Sequence, residues 1–334
     1  EVWGRRALTI PAYAVLAVFF VTSLPLLLVI AAAGDLLLSR PWVMVRSVLL
    51  FTLYFCCELI GVAVSFWLWI ANIVWPGRSR ERYLRWNYRL QWWWAGALFR
   101  CAARVFGIRV EIEGEDQLSA GPIIVFIRHA SVADTLLPAM FISRQHKINL
   151  RYVLKRQLLW DPCLDIVGNR LPNCFVRRGS GESHVVQNLM KDLGSREGIL
   201  IYPEGTRFTT SKRERTLQRL AEKDPDGIYE RAAALQNVLP PRLGGALALL
   251  DRNEAADVVF CAHAGLAGIV DLRDFLRGSA VGLIIRIKFW REPFDLIPAG
   301  RTERIDWLFR HWKQVDDWVG SQRVETRESA AAIR

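Results

Sequence analysis

The sequence predicts an α/β domain, a mixed and largely parallel sheet flanked by helices, behind an N-terminal anchor of two membrane helices. Three observations carry that reading. Beyond residue 105, short runs rich in Val, Ile, Leu and Phe alternate with helical patterns, the rhythm of strand–helix units. Ahead of them lie two long apolar stretches, in a chain of 334 residues of which 52% are hydrophobic. Arginines crowd the outer flanks of those stretches and are sparse between them.

Residues 10–33 carry no charged side chain. As a helix rising ~1.5 Å per residue they extend about 36 Å, enough for a bilayer core of about 30 Å. A signal peptide is the rival reading, but the run exceeds the usual apolar core and a second apolar stretch follows at residues 48–74. Glu58 is the one charge in that second stretch, and such a carboxyl is expected to be protonated or turned toward the partner helix. Arg5 and Arg6 precede the first stretch, whereas Arg78, Arg80, Arg82, Arg85 and Arg89 follow the second. The positive-inside rule then puts the N-terminus and everything beyond Trp75 on the cytoplasmic side. A re-entrant hairpin in one leaflet gives the same sidedness, and apolar length favours spanning. The anchor is expected over residues 1–76.

Residues 77–104 mix arginines with Tyr83, Trp86, Tyr88, Trp92, Trp93 and Trp94, side chains suited to the headgroup layer, so an interfacial helix is expected. The same mixture can bind single-stranded nucleic acid, but directly after a membrane segment no nucleic-acid partner is expected. A net charge of +11 fits a surface drawn to anionic lipid. The six cysteines form no CxxC pair and no Cys/His cluster. Neither a disulfide framework nor a metal site is therefore expected, and a reducing compartment is the simplest inference. No GxxxxGK[ST], GxGxxG or GxSxG occurs, which weakens nucleotide hydrolysis, dinucleotide redox chemistry and the commonest serine-hydrolase design.

Strands are predicted at residues 108–113, 123–127, 149–153, 174–177, 199–202, 258–262 and 283–289, within a cytoplasmic domain over residues 105–320. Near its end Ile305, Leu308, Phe309, Trp312, Val315 and Val319 recur at helical spacing, a stripe for core packing. Residues 321–334 form a polar tail, expected to fray.

Two stretches carry chemistry. RHASVAD (128–134) follows the apolar run PIIVFI. On an ideal helix, residues five apart lie roughly 140° from facing, so His129 and Asp134 meet only if His129 sits in a strand-to-helix loop and Asp134 in the helix's first turn. A carboxylate on one imidazole nitrogen would make the other a general base. The competing reading is a capping box in which Ser131 caps the helix and Asp134 reaches back to the backbone. YPEGTR (202–207) likewise follows a strand. Gly205 permits close approach, the Thr206 hydroxyl can donate, and Arg207 can grip a phosphate or carboxylate; here the competing reading is an internal Glu204–Arg207 ion pair.

Four blocks in this order, RHASVAD (128–134), CFVRRGS (174–180), YPEGTR (202–207) and NVLPPRLGG (237–245), resemble the PlsC-like glycerolipid acyltransferases, and most closely the subgroup of lysophosphatidic and lysocardiolipin acyltransferases. The resemblance implies that His129 is the catalytic base and Asp134 its orienting partner. It implies that Arg178 and Arg207 bind the acceptor's phosphate with Glu204, Gly205 and Thr206, and that Pro240 and Pro241 serve the acyl donor or packing. Acyl-CoA is then a co-substrate, a lysophospholipid the acceptor, the bilayer a partner, and no cofactor is required; the alternatives are an acyltransferase or CoA-independent transacylase for another lysolipid such as lysocardiolipin, and a non-catalytic membrane-anchored lipid-binding protein. Backbone N–H groups near Gly205 are candidate oxyanion donors. Two departures stand out: Arg128 replaces the family's asparagine and is expected to bear on headgroup preference, and Pro172 replaces a glycine. His146, His184, His263 and His311 show no dyad or ligand pattern and are expected in surface or core roles.

Overall fold

The computed structural model describes residues 2–75, 77, 79–176, 186–269 and 273–332. Seven strands form one sheet in the order β1-β7-β6-β2-β5-β3-β4: β1 (Arg109–Glu113), β2 (Ile123–Ile127), β3 (Asn149–Lys155), β4 (Cys174–Val176), β5 (Glu197–Ile201), β6 (Asp257–Ala264) and β7 (Ile284–Glu292). Only the β6/β7 pair is antiparallel. All seven predicted strands are present, and the sheet is mixed and largely parallel as expected.

Strand β2 lies centrally, between β5 and β6, and all five of its residues are buried. Side chains of a strand alternate between faces, so β2 feeds two cores. Ile124 and Phe126 join Phe260, Leu247 and Trp312 on one side, while Ile123, Val125 and Ile127 join Phe106, Ile142 and Phe275 on the other. A strand covered on both faces reads as a continuous apolar run, which is why PIIVFI stands out in the sequence.

Four helices precede the sheet: α1 (Val2–Thr22), α2 (Leu24–Leu37), α3 (Val43–Val74) and α4 (Arg80–Phe106). The apolar run expected as one helix is thus divided at Ser23. Pro25 occupies the first turn of α2, and a proline has no N–H to continue the ladder of the preceding helix. Helices α1 and α3 are each long and apolar enough to cross a membrane. Helix α4 covers the span expected at the interface; Ser79 caps its start and Gly107, in the left-handed region, closes its end.

The hairpin of α1–α2 and α3 lies along the domain rather than projecting from it. Near the start of α3, Arg46 Nη1 donates to the Val105 carbonyl at 2.9 Å and Ser47 Oγ donates to that of Phe275 at 3.3 Å. At mid-helix the Glu58 carboxylate accepts from Trp94 Nε1 at 2.7 Å and from the Cys163 amide at 3.3 Å, so it turns toward α4 and α5 (Pro162–Arg170). Further along, Arg170 Nη1 donates to the Ser65 carbonyl at 2.8 Å. Arg5 and Arg6 of α1 close the same edge on Asp165 of α5, at 2.7 and 3.0 Å. From Arg46 to Ser65 is about 29 Å of helix at ~1.5 Å per residue. Both ends of that length touch the domain.

Further helices among the described residues are α6 (Thr210–Glu222), α7 (Tyr229–Ala233), α8 (Leu243–Leu250), α9 (Arg273–Leu276) and α10 (Arg301–Ala332). The predicted stripe lies on α10, where Leu308, Trp312 and Val315 are fully buried. The polar tail is not frayed at its start. Helix α10 runs through Ala332, Gln322 is buried, and Arg323 Nη1 donates to Asn237 Oδ1 at 3.0 Å, a tertiary contact that residue polarity alone does not announce.

Candidate active site

The loop leaving β2 builds the centre. His129 is the second residue beyond the strand, and the chain then enters a 3₁₀ turn, Ala133–Leu136, followed by a π-helical turn, Ala139–Arg144. This irregular start replaces the regular helix expected from ADTLLPAMFI, and Asp134 falls in its first turn. His129 Nδ1 lies 3.0 Å from Asp134 Oδ1 and 3.2 Å from Oδ2. Asp134 Oδ2 also accepts the Ala130 and Ser131 amides, at 2.7 and 2.8 Å. Ser131 Oγ in turn accepts the Ala133 amide at 3.0 Å. Dyad and cap are therefore one arrangement, and the two readings of RHASVAD hold together.

Electrostatics fix the ring's state. Burial opposes a charge on Asp134, but hydrogen bonds from His129 and His263 and their attraction outweigh it, holding the carboxyl well below the usual carboxylate range. An ionised Asp134 requires the proton on His129 Nδ1, leaving the Nε2 lone pair to act as base. Among the described residues Nε2 makes no hydrogen bond, and the side chain keeps 10% exposure. Tyr202 packs against the ring, 4.6 Å between centroids.

The EGTR loop wraps His129. Glu204 Oε1 accepts the His129 amide at 2.6 Å, and the Phe208 amide donates to the His129 carbonyl at 2.8 Å. Glu204 Oε2 accepts the Leu239 amide at 2.9 Å. Glu204 is fully buried and spends both oxygens on the amides of His129 and Leu239 rather than on Arg207, which fixes the backbone that carries His129. Burial pushes its pKa up to about 8, against the pull of Arg128 and the two amides. Gly205 has φ +63, and a Cβ there would lie 2.8 Å from Arg242 Cδ. Its N–H donates to the Tyr202 carbonyl at 2.9 Å, which occupies the donor expected for an oxyanion. Lys212 Nζ reaches Thr206 Oγ1 at 3.3 Å and the Arg207 carbonyl at 3.0 Å. Arg207 itself is half-buried.

Pro240 and Pro241 are buried beneath this loop. The Arg242 amide donates to the Pro203 carbonyl and Trp312 Nε1 to the Leu239 carbonyl, both at 2.9 Å, so the fourth block serves packing. Arg178 lies outside the described residues; the strand leading to it, β4, lies at the sheet edge beside β3.

One placement differs from expectation and another goes beyond it. Arg128 is fully buried and donates to the His263 carbonyl at 2.8 Å and the Asn237 carbonyl at 3.1 Å. It is an internal strut, not a headgroup contact, because the side chain leaving a buried strand end alternates away from the open side. His263, expected in a surface or core role, is buried as a core residue, but it also reaches the site: its Nε2 lies 2.9 Å from the Arg128 carbonyl and 3.5 Å from Asp134 Oδ2. The sequence carries the signal: VVFCAH ends in a histidine just as PIIVFIRH does.

Residues 109–242 match the protein-family model described as Acyltransferase, a span that runs from β1 through the site's last proline block. The site thus lies within a stretch that is similar to an acyltransferase domain. Its fold is similar to that of the 1-acyl-sn-glycerophosphate (LPA) acyltransferase PlsC from Thermotoga maritima, with a TM-score of 0.51 at 14% identity, over 84% of this chain and 97% of that one. At such identity the likeness is one of fold. No curated protein matches the acyltransferase by sequence.

Proposed function

We propose that the acyltransferase moves a fatty acyl group from acyl-CoA to the free hydroxyl of a lysophospholipid, 1-acylglycerol-3-phosphate giving phosphatidic acid. The observation that carries the reading is the His129–Asp134 pair, with Nδ1 held at 3.0 Å and Nε2 left as base. His129 Nε2 takes the hydroxyl proton as the oxygen attacks the thioester carbonyl. The tetrahedral intermediate collapses with cleavage of the C–S bond, and the imidazolium returns its proton to the CoA thiolate. No acyl-enzyme is needed. Arg207, and Arg178 by resemblance, hold the acceptor phosphate. The solved relative is named as an LPA acyltransferase, which supports this acceptor first.

The membrane anchoring follows the hairpin's contacts. Its outer face is apolar and exposed at Val15, Val18, Phe19, Leu26, Val29, Ile30, Phe66 and Trp67, and α3 meets the domain from Arg46 to Ser65. The hairpin therefore lies in the leaflet next to the cytoplasmic domain, its connecting loop on the same side, and presents the site to lipid at the surface.

The test is CoA release from a long-chain acyl-CoA by the detergent-solubilised protein, with and without lysophosphatidic acid, beside His129→Ala and a panel of other lysolipids. Release that requires lysophosphatidic acid and disappears in His129→Ala is expected. Release with another lysolipid alone keeps the mechanism and changes the acceptor. Undiminished release by His129→Ala overturns the mechanism.

A further inference from the structure

We infer that His263 is a positioning residue for the base, acting on the peptide unit that carries His129. The inference rests on His129 being that base. Strand β6 runs parallel to β2 with Ile127 opposite Cys261, so two residues further on His263 stands level with His129. It is fully buried. Its Nε2 lies 2.9 Å from the carbonyl oxygen of Arg128 and 3.5 Å from Asp134 Oδ2. Both are acceptors, so the proton sits on Nε2 and the ring donates to the pair.

The Arg128–His129 peptide is thereby held at both of its polar ends. Its carbonyl takes the His263 N–H, and its amide, at 2.6 Å, gives a hydrogen bond to Glu204 Oε1. Arg128 Nη1 returns a hydrogen bond of 2.8 Å to the His263 carbonyl, which locks the two strand ends to each other. A turn of this peptide plane would swing the imidazole away from Asp134. His263 also touches the carboxylate oxygen that takes the Ala130 and Ser131 amides, so one ring steadies both the backbone of the base and its orienting partner.

The other ring nitrogen shows what the histidine is kept for. His263 Nδ1 is buried and has no hydrogen-bond partner among the described residues. A buried polar atom without a partner costs stability, and a leucine in this core would avoid that cost. The Nε2 donor is the feature a leucine lacks.

The experiment compares His263→Gln, His263→Asn and His263→Leu with wild type and His129→Ala in the CoA-release assay, with kcat and both KM values measured. A glutamine nitrogen reaches about as far from the backbone as Nε2, and an asparagine nitrogen does not. Expected is a kcat within a few-fold of wild type for Gln and a loss of about 10- to 100-fold for Asn and Leu, with both KM values within twofold. A kcat retained by Asn, or lost equally by Gln and Asn, overturns the inference. Loss in His129→Ala beside full activity in His263→Asn defeats this inference alone, whereas activity in His129→Ala defeats the reading beneath it. Imidazole nitrogen NMR of the wild-type protein tests the assignment without any variant, since a His263 ring protonated on Nδ1 and bare on Nε2 refutes it.

Discussion

Asp134→Asn is the sharpest probe of the dyad, because the structure dictates which way the amide turns. Asp134 Oδ2 accepts two main-chain amides, at 2.7 and 2.8 Å, whereas Oδ1 meets only His129 Nδ1, at 3.0 Å. An asparagine has one acceptor to offer. If its NH2 took the Oδ2 place, two buried N–H donors would face a donor, at about 1–3 kcal/mol each. If it takes the Oδ1 place, both amides stay satisfied and one donor faces Nδ1. The second choice wins by about 1 kcal/mol or more. His129 must then accept at Nδ1 and carry its proton on Nε2, the nitrogen meant to receive one from the acceptor. Turnover is expected to fall by about 10³–10⁴, or ~4–5 kcal/mol of barrier, the scale seen when a catalytic histidine is forced into the wrong tautomer. Both KM values should stay near wild type, since no substrate contact is removed. Steady-state CoA release followed with a thiol-reactive dye reads both quantities. A kcat within tenfold of wild type would refute the reasoning.

Four further outcomes follow from the same geometry. Glu204 binds its proton more tightly folded than unfolded, up to about 8 against an ordinary 4.5, so its contribution to stability is full below about pH 4.5 and is lost as pH rises through 8; melting curves of wild type and Glu204→Gln across pH 5–9 should converge or cross, and parallel curves would contradict this. Gly205→Ala forces a side chain into the left-handed region at φ +63 and against Arg242, and should cost about 1–2 kcal/mol in denaturant unfolding. Asp165→Ala leaves Arg5 and Arg6 without the carboxylate they share; both arginines retain some exposure, so a loss of about 2–3 kcal/mol is expected, with faster proteolysis of the N-terminal segment. A cysteine at Arg40, in the hairpin loop, should react with an impermeant maleimide from the same face of a vesicle as one at Glu254, and protection of the first alone would mean that the hairpin spans.

The sheet was legible because nearly every strand is buried on at least one face and bounded by turn residues, so β2 and β6 appear as unbroken apolar runs. The hairpin was legible only as apolar length. Hydropathy reports what each helix excludes, water, and is silent on what it faces. Ser47, Glu58 and Arg46 look like isolated polar interruptions in the sequence, and the structure turns each toward a group on the domain. Pro25 was equally visible, but a proline within an apolar run signals either a kink or a break, and Ser23 is where the chain settles that choice. The start of the tail is hard to read for a related reason: Gln322 is buried although polar, and Arg323 donates to Asn237, more than 80 residues earlier.

The site divides along the same line. His129 and Asp134 are five residues apart, and a loop-to-turn geometry can be reasoned from local rules, so the dyad could be proposed. For Glu204 the sequence offers a role at the acceptor, by resemblance, or an ion pair with Arg207. In the fold its partners are the amides of His129 and Leu239, and amides leave no mark in a sequence. Arg128 was misassigned on the assumption that a cation beside the base faces the substrate, although the pleat turns it into the core. Arg128, His129, Glu204 and His263 share one feature. Each acts at the carboxyl ends of β2, β5 and β6, where parallel neighbours bring together residues far apart in the chain. Strand ends read side by side, rather than motifs read along the chain, place a histidine level with a histidine and a glutamate against the amide of one of them, and the loop that carries His129 is held by the residues that such a comparison aligns.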